Sequence, residues 1–146
     1  DRAKDMAPGA LVISGGEPTE QADGLQALAK GFKQLFPQRE VVLYTGLRFA
    51  PLQRGFASLV SVVDVVVAGP FVQSLADGRH PLAGSTNQEV VLRTALAREK
   101  YSNWRQWPAP RVQVAAQALP SGTEIVTVGI PRGMAQPIRW QRAAGR

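Results

Sequence analysis

The sequence contains no cysteine and only one histidine in 146 residues. The chain alone can therefore form neither a disulfide nor a thiolate-bound metal site. No apolar run approaches the roughly 20 residues that a membrane-spanning helix needs, and residues 1–10 lack the apolar segment of a signal peptide. These absences exclude a membrane span and make the cytoplasm the expected compartment.

The net charge of +6 is unevenly distributed along the chain. Residues 1–97 hold nine Lys or Arg and nine Asp or Glu, whereas residues 98–146 hold eight basic and two acidic side chains. Such asymmetry occurs where a protein contacts nucleic acid or an acidic partner, and also on a solubilising surface with a basic tail. Because the arginines are scattered rather than clustered, the second interpretation is favoured and no nucleic-acid partner is expected.

Apolar strands alternate with amphipathic helices in the first two-thirds of the chain. Strands are predicted at residues 10–13, 41–45 and 62–67, where β-branched side chains run almost without interruption. A helix with an apolar face lies between the first two strands and ends at Pro37, and a shorter amphipathic segment follows the second strand. Continuous apolar runs are typical of parallel strands that are covered on both faces, so an α/β fold is predicted.

The pattern changes after the third strand. A long loop is expected from Gly69 to Gln88, followed by a helix over residues 88–99 and a linker. Residues 111–129 alternate with period two about a Pro-Ser-Gly turn, which predicts a β-hairpin, and a basic tail follows from Ile130. The chain is thus divided into a core, residues 1–100, and a part packed on that core, residues 101–146.

All three predicted strands end in glycine-bearing turns: Gly15-Gly16, Gly46 and Gly69. In parallel α/β sheets, ligands bind at the carboxyl ends of the strands, and glycine lets the backbone approach them closely. Glu17 adds a carboxylate that can accept hydrogen bonds from an ammonium group. The pattern therefore favours a small polar ligand at this edge, with an ordinary strand-to-helix turn as the alternative.

Four motifs occur in a characteristic order: VISGGEP before an amphipathic helix, then VLYTG, VDVVVAGPF and GSTNQ. Together they cover roughly residues 10–92, and together they are much more specific than a lone Gly-Gly-Glu. The chain resembles the radical S-adenosylmethionine superfamily, above all its activase branch, which includes the activating proteins of anaerobic ribonucleotide reductase. The resemblance implies a partial, barrel-like (βα) parallel sheet from which the first βα unit is missing.

The resemblance also implies a set of residues that bind S-adenosylmethionine. They are Gly15, Gly16, Glu17, Thr45, Gly46, Asp64 and Asn87. In the family, the Gly-Gly-Glu loop holds the methionyl ammonium, and Thr45 and Gly46 correspond to the nucleoside side of the pocket. For Asp64 two roles stay open, because a buried carboxylate must find donors and can serve a ligand or cap a neighbouring loop.

In that family, a [4Fe–4S] cluster held by a CxxxCxxC loop cleaves S-adenosylmethionine reductively, and the resulting 5′-deoxyadenosyl radical takes a hydrogen atom from a protein such as a glycyl radical enzyme. This chain has no cysteine, so it supplies no cluster ligand and is expected to be inactive alone. Either the cysteine-bearing unit lies outside the chain, which the retained Gly-Gly-Glu favours, or the chain is a cluster-less scaffold in a larger complex. Ala68, Ala83 and Glu89 also depart from the family pattern and leave the substrate open.

Overall fold

The computed structural model describes residues 9–108, 113–119 and 122–128, and the tail expected from Ile130 lies outside these ranges. The chain falls into two compact units, Asp1–Ala109 and Pro110–Arg146. Within the described residues, no helix combines the length and the apolar character that crossing a membrane requires.

The first unit alternates strands and helices, as the sequence predicts, up to its third strand. Its elements are β1 (Ala10–Ile13), α1 (Ala22–Leu35), β2 (Glu40–Thr45), α2 (Phe49–Gly55), α3 (Ala57–Val60), β3 (Val65–Ala68), β4 (Glu89–Leu92) and α4 (Ala95–Lys100). Apart from a 3₁₀ turn at Gln73–Leu75, no helix or strand forms between β3 and β4. The long loop predicted there is confirmed.

The four strands form an open sheet in the order β1-β2-β3-β4. The first three are parallel, with Leu11 opposite Val41 and Val42 opposite Val65. Their carboxyl ends therefore lie at one edge of the sheet, where β4 also begins, because β4 is antiparallel to β3. The mixed α/β class is confirmed, whereas a barrel-like closure stays a prediction, since these strands make an open sheet.

Alternate residues of β2 belong to two hydrophobic clusters, as the period of a strand requires. Val41 and Leu43 are buried in the cluster that contains side chains of α1, α2 and α3. Val42 belongs to the other cluster, which also includes Tyr101 and Trp104, 8% and 5% exposed. The segment expected to be a linker thus packs on the sheet through these two aromatic side chains.

The prediction of one helix over residues 88–99 is wrong at its start. Residues Glu89–Leu92 form β4 instead, because their backbone pairs with the free side of β3 and places Val91 opposite Val66. The helix begins only after Thr94, whose hydroxyl accepts a hydrogen bond from the amide of Ala97 at 3.2 Å. Tertiary pairing therefore overrides the helical spacing of these apolar residues.

The third strand begins at Val65, three residues later than predicted, since Val62 and Val63 belong to the turn after α3. In the second unit, β5 (Gln113–Leu119) and β6 (Gly122–Val128) pair antiparallel. The predicted hairpin is confirmed.

Candidate functional site

Hydrogen bonds join the three glycine-bearing turns at the carboxyl edge of the sheet. The amide of Gly69, after β3, donates to the carbonyl oxygens of Thr45 at 3.1 Å and Leu47 at 2.8 Å, after β2. The amide of Gly46 donates to the Glu17 carboxylate at 2.8 Å, in the turn after β1. Three segments that are distant in sequence therefore form one hydrogen-bonded rim, in which the Glu17 side chain joins the first turn to the second.

The Gly15-Gly16 backbone is open. Both residues are exposed and have positive φ angles, +88° and +54°, which side-chain-bearing residues rarely adopt. A Cβ built on either residue would meet no atom within 4 Å. Within residues 9–108, no hydrogen bond involves their backbone groups. The turn therefore presents free backbone donors and acceptors to whatever occupies the space beside it.

The Glu17 carboxylate already has several donors. Its Oε1 accepts from the Thr45 hydroxyl at 2.7 Å and from the hydroxyl and amide of Thr19 at 3.0 and 3.2 Å. Its Oε2 accepts from Gly46. Burial favours the neutral acid, but the hydrogen bonds from Thr45, Thr19 and Gly46 together outweigh it and hold the pKa of Glu17 below its usual value. The side chain is thus a bound anion that faces inward to neighbouring loops.

Asn87 lies at the same edge, in a loop anchored to the turn after β3. Its side-chain amide donates to the carbonyl oxygen of Pro70 at 2.8 Å. Gln88 fixes the loop from its other side: its Nε2 donates to the carbonyl oxygen of Gly69 at 2.9 Å, and its Oε1 accepts from the amide of Gly84 at 2.8 Å. The structure therefore brings Asn87 to the rim that carries Gly46 and Gly69.

Asp64 lies at the opposite edge of the sheet. It directly precedes β3, and its carboxylate accepts from the amide of Val41 at 2.8 Å and the hydroxyl of Thr94 at 2.7 Å. It also forms an ion pair with Lys33 at 2.7 Å. Of the two roles that the sequence leaves open, these contacts are those of a structural cap. The structure does not bring Asp64 to the glycine-lined rim.

An open cavity adjoins Asp64 and is lined by Lys30, Lys33, Gln34, Ser61, Val62 and Thr94. It is at the amino-terminal edge, so it is separate from the rim. In this cavity the charges of Lys33 and Asp64 are paired with each other. The pair has a structural function, because it links α1 to the start of β3.

Two further residues help to build the site: Thr19, which the sequence analysis did not assign to it, and Gln88, which it placed only in the GSTNQ motif. Thr19 bonds Glu17 through both its amide and its hydroxyl, and Gln88 bridges two loops. The sequence did contain a signal for the contact between Thr19 and Glu17. An acidic residue directly before Pro18 marks the start of a helix, and Glu17 is the N-cap there. For Gln88, whose partner Gly69 is 19 residues away, the motif gave a position but no partner.

The described residues do not fit an iron–sulfur cluster. The chain has no cysteine, and residues 9–108 contain no group of three or more His, Cys, Asp or Glu side chains placed to hold a metal ion. His80 instead lies beside Trp104, with ring centroids 6.2 Å apart. A cluster in this protein thus needs ligands from elsewhere.

Comparison with known proteins gives a family match over most of the first unit. The model of a family described as "4Fe-4S single cluster domain" matches residues 1–91. The chain is also 33% identical over 82 residues to an anaerobic ribonucleoside-triphosphate reductase-activating protein of Vibrio cholerae. Proteins of the same name from Salmonella typhi and Haemophilus influenzae are 31% and 28% identical over 82 residues.

Each of these three matches covers 55% of this chain and 53% of the relative. The chain therefore spans about half the length of the curated relatives it matches. No solved structure matches it. The predicted resemblance to the activating proteins of anaerobic ribonucleotide reductase is confirmed by the family match and the relatives.

Proposed function

The chain belongs to the 4Fe-4S single cluster domain family, and we propose that it supplies part of the S-adenosylmethionine pocket of a radical S-adenosylmethionine activating protein. One observation carries the proposal: three glycine-bearing turns are hydrogen-bonded into a rim beside the exposed Gly15-Gly16 backbone. Ligands bind at this edge of parallel α/β sheets. The names of the similar proteins support the activating role.

Each part of the rim has a task in this proposal. Gly15 and Gly16 bind the methionyl amino group, since an ammonium is a donor only and needs acceptors such as free carbonyl oxygens. Thr45 and Gly46 line the nucleoside side, and Asn87 borders the pocket next to them. We leave Asp64 out of the pocket, because its contacts are at the opposite edge.

The cluster ligands are proposed to come from protein outside this sequence. Among the described strands, β1 is an edge strand, and Val12 in its middle is 57% exposed. An exposed apolar residue on a parallel strand with one unpaired side is unusual, because such strands are normally covered. A cysteine-bearing strand beside β1 would pair with its free edge, next to Gly15.

The proposed partner is a protein, either a glycyl radical enzyme or one of similar chemistry. In this role, bound S-adenosylmethionine supplies the group that abstracts a hydrogen atom from the partner. The chain's own residues bind and orient the cofactor, and they exclude water from it. The cytoplasmic location expected from the sequence is part of this proposal.

A second candidate function follows from the lack of cysteine. In it, the chain is a cluster-less scaffold subunit of a larger complex and uses the same fold to contact a partner. The internal bonds of Glu17 are compatible with this alternative, because they stabilise the loop without a ligand.

Iron, sulfide and cofactor analysis separates the two functions. Full-length protein purified without air should contain a cluster's iron and sulfide and should bind S-adenosylmethionine in calorimetry. The variant Gly16→Val, which places a β-branched residue at φ +54°, should lose binding. Gly24→Ala, an exposed glycine of α1 with open space around it, is the matched control. A full-length protein with neither cluster nor cofactor binding is a scaffold.

A further inference from the structure

We infer that Glu17 is a positioning residue, which acts through Gly46 and Thr45 and does not bind the amino group of the cofactor itself. The inference rests on the proposed function and deepens it. It assigns the amino group to the Gly15-Gly16 backbone alone. It also makes Glu17 the group that sets the distance between the first and second turns of the rim.

The donors around the carboxylate carry the argument. A carboxylate has about four acceptor positions, two on each oxygen. In Glu17, three donor atoms converge on Oε1 and one on Oε2. All four belong to this protein, so Oε1 has no position left, and an ammonium could reach only the one remaining position on Oε2, beside the amide of Gly46. Within residues 9–108, the carbonyl oxygens of Gly15 and Gly16 in the same turn accept no hydrogen bond.

Close packing fixes the carboxylate against the second turn. A Cβ added to Gly46 would lie 3.3 Å from Oε2 of Glu17, which is tighter than ordinary van der Waals contact. A side chain at position 46 would therefore push the Glu17 carboxylate away by a few tenths of an ångström, although Gly46 itself has no positive φ angle. Glu17 thus leaves no space for a ligand atom between its Oε2 and the Gly46 backbone.

The hydrogen bonds continue from Glu17 across the rim. The Thr45 hydroxyl donates to Glu17 and accepts from the amide of Leu47 at 3.1 Å. The carbonyl oxygen of Leu47 accepts from the amide of Gly69 at 2.8 Å. The chain of contacts runs from the first turn to the third, so a change at Glu17 displaces backbone on the nucleoside side as well as at the amino-group side.

Binding of two cofactor forms tests this inference in the full-length protein prepared without air. The probes are S-adenosylmethionine and an analogue in which hydrogen replaces the α-amino group. Glu17→Gln and Thr45→Val should each weaken the binding of both probes by a similar factor, about tenfold, the equivalent of one hydrogen bond to a charged group. Thr45→Ser, which keeps the hydroxyl, should bind like the wild type. Glu20→Gln, an exposed acid three residues further on, is the control.

A loss confined to S-adenosylmethionine in Glu17→Gln, with the analogue unaffected, would show that Glu17 binds the amino group and would overturn the inference. Unchanged binding in Thr45→Val overturns it as well. A separate measurement tests the contact between Glu17 and Gly46 without the cofactor, so it remains informative if the proposed function is wrong. In the 146-residue chain, the NMR signal of the Gly46 amide should follow the ionisation of Glu17 and move in Glu17→Gln. If the Gly46 amide signal moves neither when Glu17 ionises nor in Glu17→Gln, then Glu17 does not hold Gly46 in place. This result would overturn the inference whether or not the wild type binds the cofactor.

Discussion

The backbone amide of Gly69 donates a 2.8 Å hydrogen bond to the carbonyl oxygen of Leu47, which fixes the turn after β3 against the turn after β2. Gly69 makes this bond with φ at +113°, a region that residues with a Cβ avoid. The hydrogen bond to Leu47 therefore depends on the positive φ angle of Gly69. A residue that cannot take this φ angle must break the contact between two parts of the rim.

Gly69→Ala should therefore destabilise the fold by about 1–3 kcal/mol, the cost of a strained backbone position. Urea unfolding measures the change. Gly24→Ala is the matched control, since alanine in the first turn of α1 should stabilise by up to about 1 kcal/mol. Equal free energies of unfolding for the two variants would show that the Gly69 turn is not strained.

The stability of the protein should depend on pH through Glu17. Hydrogen bonds from Thr45, Thr19 and Gly46 lower the pKa of Glu17 in the folded state from its ordinary 4.5. A group with a lowered folded pKa stabilises the fold above its unfolded pKa, and this contribution is lost as the pH falls through the folded pKa. Glu17→Gln should thus reduce the free energy of unfolding at neutral pH, and the difference from the wild type should shrink below about pH 4.5. If the difference in the free energy of unfolding between the wild type and Glu17→Gln does not change with pH, the ionisation of Glu17 is not linked to folding.

Much of the fold can be predicted from the sequence, because local patterns specify it. The apolar run at Ala10–Ile13, the amphipathic α1 and the run at Glu40–Thr45 each carry their own signal. The fourth strand could not be predicted in this way. Residues Glu89–Leu92 have apolar spacing compatible with either state, and only pairing with β3 makes them a strand.

The position of the three glycine-bearing turns at one edge of the sheet was predictable from the sequence, and their contacts were not. Glycines after strands indicate a ligand edge from the sequence alone. The donors of Glu17 at Thr45 and Gly46 are 28 and 29 residues away, so no local pattern shows that its carboxylate is already bound. The position of Asp64 before β3 was not predictable for a similar reason, because the start of β3 at Val65 depends on tertiary pairing.

Asp64 should be important for stability and unimportant for cofactor binding. It is 1% exposed and bonds Val41, Thr94 and Lys33. Asp64→Ala leaves the amide of the buried Val41 without its acceptor, whereas Lys33, whose side chain is 28% exposed, can turn to water. An unsatisfied buried donor costs about 1–3 kcal/mol. Chemical denaturation tests this, with the exposed Asp23→Ala as control. Folded Asp64→Ala protein that no longer binds S-adenosylmethionine would put Asp64 back in the pocket.

Alkaline titration should reveal the contact between Tyr101 and Glu40. The Tyr101 hydroxyl donates to Oε1 of Glu40 at 3.1 Å, and burial together with the Glu40 charge raises the pKa of Tyr101 well above its ordinary 10.0. A raised folded pKa means that this stabilisation is complete below the unfolded pKa and is lost as the pH rises above it. Tyr101→Phe should lower stability by about 1 kcal/mol at neutral pH.

Above pH 10.0, the ordinary pKa of tyrosine, the wild type should lose stability faster than Tyr101→Phe. Thermal unfolding at several pH values measures both slopes. Parallel slopes would show that Tyr101 does not couple its ionisation to folding.

The most direct test of the account is a crystal structure of the full-length protein, prepared without air, with S-adenosylmethionine bound. The account predicts the methionyl nitrogen about 3 Å from a carbonyl oxygen of Gly15 or Gly16, with the Glu17 carboxylate still bonded to Gly46. A cofactor bound at the Lys33 and Asp64 edge, or a Gly15-Gly16 turn covered by other protein atoms, would contradict it.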